Sequence, residues 1–408
     1  MISKVYVTTN GCVEGQLSTT YLEQFFKRNG VEVTKDLSKA DTVFFWGCGL
    51  TEKREKDSVM DIKDIKRRMK PNAKLIAWGC LPRINPKALS TVYAGPIVGA
   101  DDKAFFEGLL EKIIVPFDVM DIAGAQNRLA PTETCVQSQG RGADAFTDAF
   151  TLFKEDWDRL WARSRKNVNY FIRIASGCTG HCSYCSELCV FGRIKSRPTA
   201  NILSDFKRGL EHGYNRFSLI ATDVGAYGKD MGCTLADLLD KMIHVEDRKD
   251  YKIILNQVNP FYLREMFPDM EKVFSSGKIA TLNCPVQSGS QRILKMMGRP
   301  HSAKDWKEDM ATISKRFPNI RLSTHFMVGF PTETDQDFNE TLNLLDYPVF
   351  LDRIIIFKFS GRPQTYATRI AGQVSDQTKE FRTRKLLQKY VRSYALNYPI
   401  KLARSVFE

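Results

Sequence analysis

Apolar residues in this chain fall into short unbroken runs, each followed by a longer stretch with helical spacing. "KVYVTTN" ends just before Cys12, "DTVFFWG" before Cys48 and "KLIAWG" before Cys80. "LSTTYLEQFFKRNG" reads as a helix closed by Gly30, and the charged residues 52–70 read as a second helix. Strands that are apolar without alternation are covered on both faces, so residues 1–120 are expected to form a small parallel α/β domain. Residues 121–165 hold Gly, Gln, Thr and Ala without a period and read as a linker, with Cys135 as an inert thiol inside it. From 166 to 375 six more runs occur: "NYFIRIA", "RFSLIA", "YKIILNQ", "KIATLN", "IRLSTHFMVGF" and "RIIIFKF". Helical stretches fall between them near 200–212, 234–244, 261–273, 290–297, 303–316 and 335–346. This alternation predicts a partial (β/α)6 barrel whose working face lies at the carboxyl ends of its strands. An open doubly wound sheet is the alternative, because strand order is not visible in a sequence. Residues 376–408 read as a basic helix with a short ending, either packed on the barrel or presenting charge to phosphates.

Composition narrows the class. Of 408 residues, 43% are hydrophobic and 26% charged, which excludes a disordered chain. The longest apolar runs, such as "IIIF" at 354–357, are too short to cross a bilayer, so no membrane partner is expected. Residues 1–20 carry no basic head, apolar middle and cleavage site in order, so no secretory signal is expected. Ten cysteines in such a chain point to thiols kept reduced in a cytoplasm rather than to a disulfide framework. A net charge of +13 favours an anionic partner such as RNA, although a merely basic surface meets the same description.

The cysteines carry the chemistry. Residues 176–198, "SGCTGHCSYCSELCVFGRIKSRP", place Cys178, Cys182 and Cys185 on one loop after the first barrel strand. Thiolates at that spacing enclose one centre, and all-sulfur ligation selects zinc or iron-sulfur. Zinc would take a fourth ligand such as His181 or Cys189. A [4Fe-4S] cluster on three thiols keeps one iron open for reaction. Cys12, Cys48 and Cys80 each follow a strand of the first domain, so their loops share the crevice where an open α/β sheet binds ligands. Gly11, Gly47 and Gly79, each one residue before a thiol, are expected to let the backbone approach a bulky cluster.

A CxxxCxxC barrel loop with Tyr184 before its last thiol resembles radical S-adenosylmethionine enzymes. With three strand-end thiols ahead of it, the chain resembles the methylthiotransferase family, which modifies tRNA adenosines or an aspartate of a ribosomal protein. The resemblance spans about residues 3–375. It is carried further by "SRP" at 196–198, "DVGAYG" at 223–228, "PVQSGS" at 285–290, "VGFPTETDQDF" at 328–338 and "FSGRPQTYA" at 359–367. It implies two [4Fe-4S] clusters, a radical-generating one on Cys178, Cys182 and Cys185 and an auxiliary, sulfur-carrying one on Cys12, Cys48 and Cys80. One S-adenosyl-L-methionine methylates the sulfur and a second yields the 5'-deoxyadenosyl radical. An electron donor such as a flavodoxin or ferredoxin is implied as well. An unactivated C–H has no leaving group and no useful acidity, so the protein's part is to align substrate, radical and sulfur.

The resemblance also implies cofactor contacts for Tyr184, Asp205, Gln287, Ser288, Gly329 and Pro331. Substrate contacts are expected at Arg193, Arg197, Asn283 and His325, with Met296 and Met297 as core filler and Cys189 and Cys284 as inert thiols. The chain departs from the family at Gly15 (usually Asn), at Trp46 and Gly47 (usually Asn-Thr), and at Phe191 (usually Arg). It departs again at Asn283 (usually His), His325 (usually Asp) and Thr332 (usually Gly). The family's small all-β RNA-binding domain has no counterpart in the roughly 30 residues after the barrel. On that ground the expected substrate is a peptide or protein residue, with tRNA as the rival. A sulfur-inserting radical enzyme without methyl transfer and a non-enzymatic RNA-binding metalloprotein are further alternatives.

Overall fold

The computed structural model of the chain describes residues 2–100, 102–117, 169–245 and 250–407, the last ten as backbone only. The expected linker at 121–165, with Cys135, lies outside the described residues. The chain divides into two compact units. The first holds the residues described before 118, Tyr184–Arg193 and Ser360–Thr368. The second holds the residues from 169 to Ser183, Ile194–Phe359 and Arg369 onward.

In the first unit, strands β1 (Lys4–Thr9), β2 (Glu32–Val33), β3 (Thr42–Gly47) and β4 (Lys74–Gly79) form one parallel sheet in the order β2-β1-β3-β4. β3 is buried along its whole length and splits its side chains between two cores. Phe44 and Trp46 meet Phe25 and Phe26 of the helix Val13–Arg28, while Val43 and Phe45 meet Ile62 and Ile65 of the helix Glu52–Arg68. This two-sided cover is what the unbroken apolar runs require. β2 escapes sequence reading because it contributes only two residues.

The "GRPQT" stretch joins this unit. Arg362, buried, pairs with Glu55, and Gln364 Nε2 donates to the carbonyl of Arg83 at 2.6 Å.

The second unit is built on β5 (Asn169–Arg173), β8 (Arg216–Ile220), β9 (Lys252–Leu255), β10 (Ile279–Asn283), β11 (Arg321–Val328) and β12 (Arg353–Lys358). All neighbours are parallel and the order β5-β8-β9-β10-β11-β12 follows the chain. A doubly wound sheet would reverse direction at a switch point. None occurs, so the unit is the partial barrel. Helices alternate with the strands as expected, except that the 261–273 stretch is broken into Pro260–Glu265 and Phe267–Ser275 by Pro268 in the first turn of the second helix. A two-stranded antiparallel ribbon, β6 (Ala175–Ser176) with β7 (Lys195–Ser196), closes the base of the thiol loop.

The tail forms one helix, Asp376–Phe407, without the expected short ending. It buries Leu386, Leu387, Tyr390 and Val391. Arg382, itself buried, reaches from it to Glu333, in the loop after β11, at 2.7 Å and to Asp335, the first residue of the helix Asp335–Leu342, at 2.8 Å. Among the described residues no helix is long and apolar enough to cross a membrane.

Candidate functional site

The thiol loop leaves β6 through Gly177, in the left-handed region at φ 76°. Gly180 separates Cys178 from Cys182. A Cβ there would lie 3.3 Å from Cys178 Sγ and 3.9 Å from Cys182 Sγ, and its N–H donates to Cys178 Sγ at 3.2 Å. A side chain at Gly180 would therefore crowd the space beside these two sulfurs, most tightly at Cys178. Neighbouring loops fix the backbone. Ser183 donates through its N–H to Met297 O and through Oγ to Met296 O, both at 2.9 Å. Thr179 Oγ1 and the Tyr262 hydroxyl are 2.6 Å apart. Gly298, at φ 71°, passes so close that a Cβ would meet His181 O at 2.9 Å. Met297 is buried as the core filler expected; what the sequence did not show is that Met296 and Met297 anchor the loop through their carbonyls.

Between Ser183 and Tyr184 the loop passes from the second unit into the first. Tyr184 and Cys185 are partly buried there. The following helix, Glu187–Phe191, packs against the short helix Leu81–Ile84 that starts at Cys80. Val190 and Phe191 join the core of Trp46 and Trp78. Phe191, where the family usually has arginine, is therefore a packing residue.

In the same unit, Cys48 and Cys80 are the residues after the paired strand ends Gly47 and Gly79, and Cys12 caps the helix Val13–Arg28 three residues beyond Thr9, which pairs with Trp46. Cys48 is held from its backbone. Its N–H donates to Asn10 Oδ1 at 3.1 Å, its carbonyl accepts from Ser58 Oγ at 2.8 Å, and Asp61 holds Asn10 at 2.6 Å. Burial pushes the Cys12 thiol up to about 11 and the Cys80 thiol well above its ordinary value, each further raised by the carboxylates of Glu14 and Glu187. Burial, with Glu14, also raises Glu187 to about 7. Thiols and carboxylates that share one buried neighbourhood are a donor set suited to a cationic metal centre. Among the described residues, no three His, Cys, Asp or Glu side chains meet around a single ion. A four-iron cluster offers a different iron to each thiolate, so its ligands need not meet at one point.

The glycines before these thiols have another occupant. A Cβ at Gly11 would lie 2.8 Å from Trp46 Cδ1, and one at Gly79, at φ 92°, would lie 2.5 Å from Trp46 Cδ2. Their bareness makes room for the indole of Trp46, not for a cluster as the sequence reading had it, while Gly47 faces Leu81. Gly15 belongs to the same fit, since its Cβ would lie 2.7 Å from Trp46 Nε1. Two departures from the family, Gly15 and Trp46, are therefore one compensated pair. Helix propensity alone favours alanine at Gly15 by about 1 kcal/mol. Overpacking against Trp46 reverses that, and Gly15→Ala should destabilise by about 1–3 kcal/mol. In a Trp46→Phe background the cost should shrink by about 1 kcal/mol or more, measured by urea unfolding; equal costs in both backgrounds would separate the two residues.

The barrel's carboxyl end carries the other expected residues. Among the described residues the non-glycine positive φ values are Gln257 (56°), Gln287 (74°) and Thr332 (66°), in the loops after β9, β10 and β11. Backbone held in that region clusters at functional sites. Gln287 is buried, with its Oε1 lacking a hydrogen-bond donor among the described residues. Ser288 is buried in the turn, its Oγ 3.3 Å from Thr341 Oγ1. Gly329 donates to Glu333 Oε2 at 2.6 Å, Lys379 lies over it, and Pro331 is buried beside it. Thr332, at φ 66°, holds a left-handed backbone that favours glycine. Gly372 O accepts its N–H at 2.8 Å, and Arg292 reaches its carbonyl at 2.7 Å.

Other expected contacts are engaged within the protein. Asp205 is paired on one oxygen with Arg197 at 2.7 Å and on the other with Arg208. Arg197 also donates to Arg173 O at 2.7 Å, whereas Arg193 lies in the first unit. Asn283, buried, donates to Ser323 Oγ at 2.9 Å. His325 is buried edge-on to Phe357, and burial lowers it to about 3, so its ring is neutral. Burial raises the Cys284 thiol strongly, in keeping with inertness, and Cys189 is exposed.

Comparison with known proteins resolves the class. The family described as Radical SAM superfamily matches residues 172–345, and Uncharacterized protein family UPF0004 matches residues 4–97. The matched segments contain all six cysteines. The chain is 29% identical to the probable threonylcarbamoyladenosine tRNA methylthiotransferase of Archaeoglobus fulgidus, over 94% of this chain and 82% of the relative. The threonylcarbamoyladenosine tRNA methylthiotransferase MtaB of Thermotoga maritima is 29% identical over 94% and 81%. Over nearly its whole length the chain is similar to radical S-adenosylmethionine methylthiotransferases. It is thus an enzyme dependent on a [4Fe-4S] cluster and S-adenosylmethionine. The ribosomal protein uS12 methylthiotransferase RimO of Protochlamydia amoebophila is 28% identical over 95% of this chain and 76% of that one. Among solved structures, the radical S-adenosylmethionine methyltransferase TsrM of Kitasatospora setae shares the fold, with a TM-score of 0.62 at 13% identity over 90% of this chain and 77% of that one.

These relatives overturn the preference for a peptide or protein residue as substrate. That preference rested on where the chain ends, which says nothing about what the aligned segments act on. Relatives named as tRNA methylthiotransferases align through both units.

Proposed function

We propose that the protein is a tRNA methylthiotransferase that replaces an unactivated C–H of a modified adenosine with a C–SCH3 group. The observation that carries this reading is the alignment with tRNA methylthiotransferases through both thiol-bearing segments. Cys178, Cys182 and Cys185 would hold the radical-generating cluster, and Cys12, Cys48 and Cys80 an auxiliary one. When bound, these groups and S-adenosylmethionine supply the radical, the methyl group and the sulfur. The chain's own residues then have positioning tasks. Gly180 leaves the space beside Cys178 and Cys182 uncrowded, and Ser183 and Thr179 tie their loop to the barrel. The buried Gln287 offers a hydrogen-bond acceptor held by a left-handed backbone, suited to an amine or hydroxyl of cofactor or substrate. In this reading Asp205 orients Arg197 rather than meeting the cofactor itself. The chain's net charge of +13 suits a polyanionic substrate.

The test is anaerobic incubation of reconstituted protein with S-adenosylmethionine, a reductant and bulk tRNA from its source, followed by nucleoside mass spectrometry. An adenosine derivative should gain the mass of one methylthio group. No gain on tRNA, with a gain on a ribosomal protein instead, would contradict the proposal.

A further inference from the structure

Arg299 follows the glycine that crosses the thiol loop. Its backbone N–H donates to Leu294 O at 2.9 Å, which fixes the turn after the helix Gln291–Met296. Its guanidinium is anchored by a 2.7 Å bond from Nη2 to Pro285 O, which leaves Nη1 3.9 Å from Cys182 Sγ. The side chain is therefore aimed at the thiol from a fixed carbonyl and does not hang free in solvent. The same charge is felt by the carboxyl of Asp223, by Cys284, and by the rings of His301 and His325, all of them buried. A guanidinium stays protonated at any working pH and makes charge-assisted contacts to anions.

We infer that Arg299 is a positioning residue that raises the reduction potential of the cluster held by Cys178, Cys182 and Cys185 by placing a fixed positive charge against the Cys182 sulfur. This rests on those three cysteines being cluster ligands. With three thiolates, a cluster core of charge 2+ carries a net charge of −1. One electron, taken from a low-potential donor, makes the core 1+ and the net charge −2. The electron adds negative charge beside the guanidinium, so the reduced form gains more from Arg299 than the oxidised form does. Hydrogen bonds and charges next to cluster sulfurs are among the terms that set such potentials. The potential governs how much of the enzyme is reduced, and so how often the radical can form.

The test is a potentiometric titration followed by electron paramagnetic resonance, with iron content measured alongside. It is run on the full chain carrying Cys12→Ala, Cys48→Ala and Cys80→Ala, so that the barrel cluster alone is seen, and repeated with Cys12, Cys48 and Cys80 intact. Arg299→Met should bind its iron yet need a potential about 59 mV lower for half reduction, which corresponds to a tenfold smaller ratio of reduced to oxidised protein at fixed potential. Arg299→Lys, which keeps the charge, should recover most of that ratio. An unchanged midpoint in Arg299→Met overturns the inference. So does an equal loss of iron in both variants with the residual signal unshifted, since the residue would then only brace the loop. If Arg299-containing protein in the Cys12, Cys48 and Cys80 variant shows no reducible cluster, the assignment of the barrel thiols is what fails.

Discussion

Replacing Cys178, Cys182 and Cys185 by alanine abolishes reductive cleavage of S-adenosylmethionine. Formation of 5'-deoxyadenosine should fall by about a thousandfold or more, because an unactivated C–H offers acid-base groups nothing to work on and no other group in the chain substitutes for a radical source. The fold should survive. The three thiols sit on a loop closed by the β6–β7 ribbon and braced through Ser183 and Thr179, and none of them is a core residue of the barrel strands. Chromatography of the quenched reaction gives the result. Near-normal 5'-deoxyadenosine from this variant would show that the radical arises elsewhere.

The complementary change, Cys12, Cys48 and Cys80 to alanine, separates radical formation from sulfur insertion. Cleavage should stay within about threefold of the parent, while the methylthiolated product falls below detection, a loss of about a hundredfold or more. Cys48 is buried and its backbone is held by Asn10 and Ser58, so alanine keeps the local hydrogen bonds. Cys80 and Cys12 begin helices through their backbone and need no side-chain bond there. Measuring both products in one reaction checks the prediction. Loss of cleavage together with insertion would mean that these thiols support the fold or the radical site rather than carrying sulfur.

Much of this was readable in the residues. Parallel strands without alternation and the three cysteines that end them predict the first sheet directly, because burial on both faces leaves no polar phase to confuse the pattern. The barrel order follows from six strand-helix units, each covering its own neighbour. Long-range fits were not readable. Nothing local tells that Gly11, Gly15 and Gly79 are bare because one indole fills the space among them, since the partners come from three separate elements. Arg299 sits more than a hundred residues from Cys182, and its role needs the turn that brings them together. Asp205 and Arg197 read separately as ligand contacts, yet eight residues apart across a helix start they satisfy each other. Glu187 carried no motif at all. Its interest comes from the helix it opens, which lies against the one that begins at Cys80.

Iron and acid-labile sulfide, measured on anaerobically reconstituted protein and on the two triple-cysteine variants, test the two-site account most directly. The parent should hold about eight iron atoms as two four-iron clusters, and each variant about four. A parent that saturates near four iron, or that takes zinc in place of iron, would contradict it.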